Sequence, residues 1–248
     1  MKVKEILSLI DSFAPINTAL SYDNSGLLVG DAEQTVTKAV VCLDATPEAI
    51  NFAVKNSAEL IITHHPVIFD GLKAVMVGSP VYECVRKNIS VISAHTNLDI
   101  AESGVNDCLA KALGLKNITA VTDDEGFSFR KGTLDEEMSA EGFARYIKSR
   151  LGGVVRYTDA KKPIKTVAVC GGSGGSELEL AKTVADAFVT ADVKHSVLIA
   201  ANEMNFSIFD AGHYHTENVV VNPLTERLSK MVPNIKFLPF NGNEIKTV

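Results

Sequence analysis

This 248-residue chain has no long apolar run, no paired-cysteine motif and no block of basic residues. A membrane helix needs about 20 consecutive, predominantly apolar residues, and no stretch here approaches that. The opening Met1–Ile10 is interrupted by Lys4, Glu5 and Ser8, so it reads as an amphipathic helix and not as a signal peptide. Cys42, Cys84, Cys108 and Cys170 are scattered, with no C-x-x-C pair. That spacing argues against a disulfide framework and a thiolate zinc site, and it points to a reducing, cytoplasmic setting. A formal charge of −6 without a Lys/Arg cluster leaves no electrostatic footprint for nucleic acid. A nucleotide is still admissible, because a bound metal supplies local positive charge. There is no G-x-S-x-G elbow, and no cysteine has an evident base partner, so no protein nucleophile can be assigned.

What is present is an alternation of short apolar runs with helical patterns. Strands are expected at Ala39–Leu43, Leu60–Thr63 and Ser90–Ser93, with helices from Thr46-Pro47 to Asn56, over Ser79–Lys87 and over Val105–Leu113, the last stopped by Gly114. Buried strands separated by helices indicate α/β architecture with mostly parallel sheets. The composition turns acidic at Thr122–Gly126, and a second set of elements follows. It comprises strands at Phe127–Leu134, Val154–Tyr157, Lys165–Val169, Phe188–Thr190 and Ser207–Ala211 and a helix over Ser139–Leu151. Ser176 and Glu179 suggest a capping box for one further helix. The reading is therefore two α/β domains, 1–125 and 126–212, the first completed by about 213–248.

The six histidines carry the functional signal. His64 and His65 stand together in T-H-H-P, His95 opens H-T-N-L-D, which ends at Asp99, and His213 and His215 lie in G-H-Y-H-T-E, which ends at Glu217. Each group follows an expected strand, and in an open α/β sheet the carboxyl ends of strands converge on one crevice. Imidazole and carboxylate without thiolate suit zinc, iron, manganese or cobalt. Adjacent residues on extended chain point in opposite directions, so His64 and His65 are expected to serve different metals. A helix starting at His213 places it on one face with Glu217, leaving His215 pointing elsewhere. Asp99 is either an anionic ligand or a helix cap, and His95 a ligand, an outer group or a proton carrier. Alone, each segment also admits hydrogen-bonded loop histidines or a capped helix. The glycine run Gly171–Gly175 is either a phosphate cradle or a tight structural turn; it lacks the third glycine of G-x-G-x-x-G and any Gly-Lys-Ser/Thr. Asp192, Lys194 and His195 either line a cleft or start a solvated helix.

T-H-H-P, S-A-H-T-N-L-D, C-G-G-S-G and D-A-G-H-Y-H-T-E, in this order and spacing, resemble the Nif-three-like (NGG-interacting factor three) family, also catalogued as GTP cyclohydrolase I type 2 homologues; Y-D-N-S-G-L-L-V-G resembles its opening loop. The resemblance covers essentially the whole chain. It implies a dinuclear metal centre in the cleft between two α/β domains, two metal ions per chain, and a toroidal homohexamer. The implied ligands are His64, His65, Asp99, His213 and Glu217, with Glu217 bridging. Longer members carry an inserted domain that this chain is expected to lack. Three positions depart from the family pattern: Tyr22 replaces a usual Trp, Ala191 a glycine, and Ser196 a common second histidine. The last two put in doubt any role carried over to Asp192–Ser196.

The function expected from these residues is metal-dependent hydrolysis by a metal-bound hydroxide, of cyclohydrolase or phosphoesterase type, with His95 as the candidate proton carrier. A nucleotide-like substrate, and GTP ring opening in particular, is implied by the resemblance alone. The alternative is a non-catalytic metal-binding or scaffold protein. Five ligands over two metals leave open coordination positions, which favours the enzyme.

Overall fold

The structure is a computed structural model, and it describes residues 1–124, 126–242 and 245. The chain forms two compact units, one of Met1–Gly104 together with residues 221–242, the other of Val105–Val220 with Ile245.

The first unit contains α1 (Val3–Asp11), β1 (Gly26–Val29), β2 (Lys38–Cys42), α2 (Pro47–Lys55), β3 (Leu60–Thr63), α3 (Pro80–Arg86), β4 (Ser90–Ser93) and α4 (Thr96–Ile100). In chain order its last two elements are α10 (Val221–Met231) and β11 (Lys236–Pro239). Helix α1 buries Val3, Ile6 and Ile10, the i, i+3, i+7 stripe of an amphipathic helix. Thr46 and Ser79 cap α2 and α3 through their hydroxyls, each with proline next in sequence, as the composition indicates. The sheet runs β1-β4-β3-β2-β11; only β1 is antiparallel to its neighbour. Strands β3 and β4 are buried along their whole length and show no polar–apolar alternation; their polar ends Thr63 and Ser93 share a hydrogen bond. Thr63 pairs with Cys42 on one side and Ser93 on the other. The carboxyl ends of β2, β3 and β4 are thus in line, and the residues just beyond them leave the sheet along one edge.

The second unit contains α5 (Val105–Ala112), β5 (Lys116–Thr122), β6 (Ser128–Met138), α6 (Ala140–Leu151), β7 (Arg156–Tyr157), β8 (Ile164–Val169), α7 (Leu178–Val184), β9 (Ala187–Thr190), α8 (His195–Glu203), β10 (Ser207–Asp210) and α9 (His213–Glu217). Its sheet runs β5-β6-β8-β9-β10-β7 and is mixed: β8, β9 and β10 are parallel, and the other pairings are antiparallel. Both faces are covered. Val167, Val169 and Phe209 pack into a cluster with Leu109, Phe143 and Ile147, while Ala168, Cys170 and Ile208 pack into another with Phe129, Leu178 and Phe206. Successive residues of one strand feed opposite clusters, as the pleat requires.

Three expectations are corrected here. The acidic stretch is not a domain boundary but the turn of a hairpin, since Thr122 pairs with Ser128 and the Asp123 carboxylate accepts the Phe127 N–H. The chain divides at Gly104–Val105 and again at Val220–Val221, so α5 and α9 belong to the second unit. Glu125, which ends the expected first domain, and residues 243, 244 and 246–248 of its expected completion lie outside the described residues. The Ser176–Glu179 capping box does not form: Gly175–Glu177 is a 3₁₀ turn, α7 begins only at Leu178, and the Ser176 hydroxyl donates to Glu177.

Candidate metal centre

In the first unit the ladder does not stop cleanly at Thr63. The consecutive N–H groups of His64 and His65 donate to the carbonyls of Cys42 and Leu43, at 3.1 and 2.9 Å. A regular parallel strand sends only alternate donors to one neighbour, so the chain bends here and the pleat ends. His64 and His65 consequently do not point to opposite faces. Their ring centroids are 5.0 Å apart, and that of His95, from the end of β4, lies 5.1 and 5.7 Å from them. His64, His65 and His95 each offer a ring nitrogen, and the three nitrogens lie within 4.8 Å of one another.

The tautomers follow from the partners. His64 Nδ1 sits 3.0 Å from the Ala94 carbonyl oxygen, which can only accept, so Nδ1 carries the proton and a neutral ring presents its lone pair at Nε2. That Nε2 is 3.5 Å from Asp99 Oδ1. His65 Nδ1 meets Asp44 Oδ1 at 2.8 Å, and His95 Nδ1 meets Asp23 Oδ1 at 2.8 Å. Burial alone would raise the Asp23 pKa, but hydrogen bonds from the side chain of His95 and from the side chain and backbone of Thr96 outweigh it and hold this carboxyl well below the usual range. Asp99 is buried within α4 and is not the helix cap; that position belongs to His95.

In the second unit α9 begins at His213 as expected, and its first turn brings His213 Nε2 to 3.0 Å from Glu217 Oε2. His213 Nδ1 is held by Asp192 Oδ2 at 2.7 Å. Asp192 lies just beyond β9 in the left-handed region, φ 50°, a conformation that aspartate tolerates better than most residues. Glu217 is 3% exposed. The glycine run accounts for its seat. The Gly171, Gly172 and Gly174 N–H groups donate to Asn106 Oδ1, Thr216 Oγ1 and Thr190 Oγ1. With three of its N–H groups committed internally, the run is a structural turn, not a phosphate cradle. A Cβ on Gly172 would lie 2.1 Å from Glu217 Oε1.

His215 and His195 stand apart from these clusters. His215 Nδ1 donates to the Leu151 carbonyl oxygen at 3.1 Å, and its ring lies against Gly153. It therefore closes the end of α6, a structural role. His195 is exposed at the start of α8, as is Lys194 before it. Composition and spacing missed Asp23 and Asp44 and named Asp192 without its role; these three carboxylates orient three of the imidazoles. A usable signal existed for two of them: Asp44 and Asp192 each lie two residues past the end of a strand.

The thiols take no part. No disulfide forms, all four cysteines are buried, and burial pushes Cys84 and Cys108 up to about 11 and raises Cys42 further. For these three, burial disfavours the thiolate that a nucleophile needs.

Two α/β units carry histidine–carboxylate sets with Nδ1 anchored and Nε2 presented, the arrangement of groups that could hold a metal ion. The family model for DUF34/NIF3 (NGG1p interacting factor 3) matches residues 1–243, and the chain belongs to that family. It is 34% identical over 241 residues to a Clostridium perfringens protein named GTP cyclohydrolase 1 type 2 homolog, covering 93% of this chain and 92% of that one. A Staphylococcus epidermidis protein of the same name is 27% identical over an alignment of 361 residues, covering 100% of this chain and 98% of that one. That alignment is longer than this chain, so the relative holds segments with no counterpart here. The crystal structure of a Staphylococcus aureus hypothetical protein superposes with a TM-score of 0.92 at 29% identity, covering 100% of this chain and 99% of that one.

Proposed function

We propose that this chain holds two divalent metal ions on His64, His65, Asp99, His213 and Glu217, and that it is a metal-dependent hydrolase of nucleotide-like substrates. The observation that carries this reading is the uniform polarity of the imidazoles. In His64, His65, His95 and His213, Nδ1 faces an obligate acceptor, and beside two of them Nε2 faces a buried carboxylate. The donor set is imidazole and carboxylate, which fits zinc, iron, manganese or cobalt and does not choose among them. A bound pair would lower the pKa of a coordinated water and polarise a substrate oxygen.

The chain's own groups then have separable tasks. Glu217, anchored by the glycine turn, supplies a carboxylate that can serve both ions. Asp44 and Asp192 hold the ligand rings in the right tautomer. His95, with its Nδ1–H fixed on Asp23, takes up or gives back a proton at Nε2. Two further features belong to the same proposal. A cytoplasmic setting is supported by the lack of disulfides and of any described helix long and apolar enough to cross a membrane. A homohexamer is supported by family membership.

The direct test compares metal-free and reconstituted protein against GTP, phosphodiesters and cyclic amidines. Turnover is expected only after reconstitution and is expected to disappear with chelator. A blank screen with both ions bound would overturn the hydrolase reading in favour of a metal-holding or scaffold protein.

The orienting role of Asp192 is tested separately. Asp192→Gly tolerates the left-handed backbone but removes the acceptor, and it is expected to weaken metal uptake about ten- to hundredfold. Asp192→Asn keeps an acceptor oxygen and is expected to recover most of that loss. Equal affinities for Asp192→Gly and the unaltered protein, measured by calorimetric metal titration, would remove Asp192 from the site.

A further inference from the structure

Two exposed aromatic rings stand beside the imidazole cluster. Phe69, 46% exposed, packs edge-on to His95 with ring centroids 6.2 Å apart, and Tyr22, 64% exposed, lies 6.4 Å beyond it. Both rings ride on anchored backbone. Asp23, next to Tyr22, is fixed by His95 and Thr96, and the Asn24 side chain donates to the Ile68 carbonyl at 2.6 Å. Val67 and Ile68, which lead into Phe69, pack on the buried core of the first unit. The two loops are thereby tied together, and the rings, tilted 47° to each other, form a shelf whose inner edge is His95. A pair of exposed aromatics at the rim of a polar site suits a flat partner, since a planar heterocycle covers apolar ring faces while its polar edge remains free. An aliphatic or purely anionic ligand would leave those faces in water.

We infer that Tyr22 and Phe69 form a stacking subsite for the planar heteroaromatic ring of the substrate, holding it with its edge toward His95. This rests on the hydrolase reading above and names the part of the substrate that the first unit recognises.

The test is equilibrium binding, without turnover, to metal-free and to zinc-reconstituted protein. The probes are GTP and inorganic tripolyphosphate, which share the polyanion and differ in the base. GTP is expected to bind more tightly than tripolyphosphate in both forms. Tyr22→Ala and Phe69→Ala are each expected to weaken GTP about 5- to 150-fold, the range for loss of one stacking partner, and to leave tripolyphosphate and zinc content unchanged. Tyr22→Trp is expected to match or exceed the unaltered protein. Unchanged GTP affinity in the Tyr22→Ala/Phe69→Ala double variant overturns the inference. So does a change in oligomeric mass with no change in GTP affinity, which would mean that a second copy covers the shelf. Failure to retain zinc with base-dependent GTP binding intact would sink the metal reading and leave the shelf standing.

Discussion

Glu217→Gln is expected to empty the reconstituted protein of both metal ions, while His95→Ala is expected to keep them. The unaltered chain should hold about two ions by elemental analysis. Glu217 is 3% exposed and its Oε2 lies 3.0 Å from His213 Nε2, so its charge sits in a poorly hydrated place where it is worth most to a cation. Replacing the carboxylate with an amide removes that charge at nearly constant volume, and the loss therefore cannot be assigned to repacking. If Glu217 bridges the ions, the vacated charge is felt by His64, His65 and Asp99 as well, and stoichiometry falls from about two to about zero. A variant that retains one ion would show that the two half-sets bind separately, and bridging would be wrong. His95 makes the comparison informative, because its ring lies as close to His64 as His65 does, at 5.1 and 5.0 Å between centroids. Distance alone does not separate a ligand from a proton carrier. Equal metal loss in both variants would make His95 a ligand.

How much of this was legible in the sequence depends on what each element packs against. Strands β3 and β4 are buried on both faces, and L-I-I-T and S-V-I-S announce that without ambiguity. Strand β5 did not show, because it is an edge strand with mostly exposed side chains, and K-N-I-T-A-V-T carries no periodic apolar face. Strand β11 is also at an edge and ends in proline, a residue that central strands do not accept. The acidic hairpin turn looked like a boundary because composition shifts mark both. For the site, histidines at strand ends were enough to find the ligand candidates, and the four-residue spacing of His213 and Glu217 was enough to pair them. The opposed directions assigned to His64 and His65 failed because the pleat argument holds only inside a strand. Asp23 escaped for a different reason. It reaches His95 from 72 positions away in sequence, and no local pattern records that contact.

Gly172→Ala is expected to cost both stability and metal, and it separates a turn that merely connects from a turn that seats a ligand. Gly172 has φ 62°, in the left-handed region, where a side chain costs roughly 1–2 kcal/mol. The added Cβ would also lie 2.1 Å from Glu217 Oε1 and 3.3 Å from His213 Nε2. Overpacking of this kind adds roughly 1–3 kcal/mol, for a total of about 2–5 kcal/mol and a fall in Tm of roughly 4–20 °C in a chain of this size. Relief comes most easily by swinging the carboxylate away, which displaces the group proposed to bridge the ions. Gly175→Ala is the control, since the nearest atom to its added Cβ is Val197 Cγ1 at 3.9 Å, an ordinary contact. Calorimetry of the metal-free proteins reads the stability term alone, and metal titration at a temperature where both variants are folded reads the positional term. Gly172→Ala that melts early but binds metal like Gly175→Ala would leave the turn with a purely structural role. A loss of metal affinity beyond about tenfold in the folded variant would tie the glycine run to the site through Glu217.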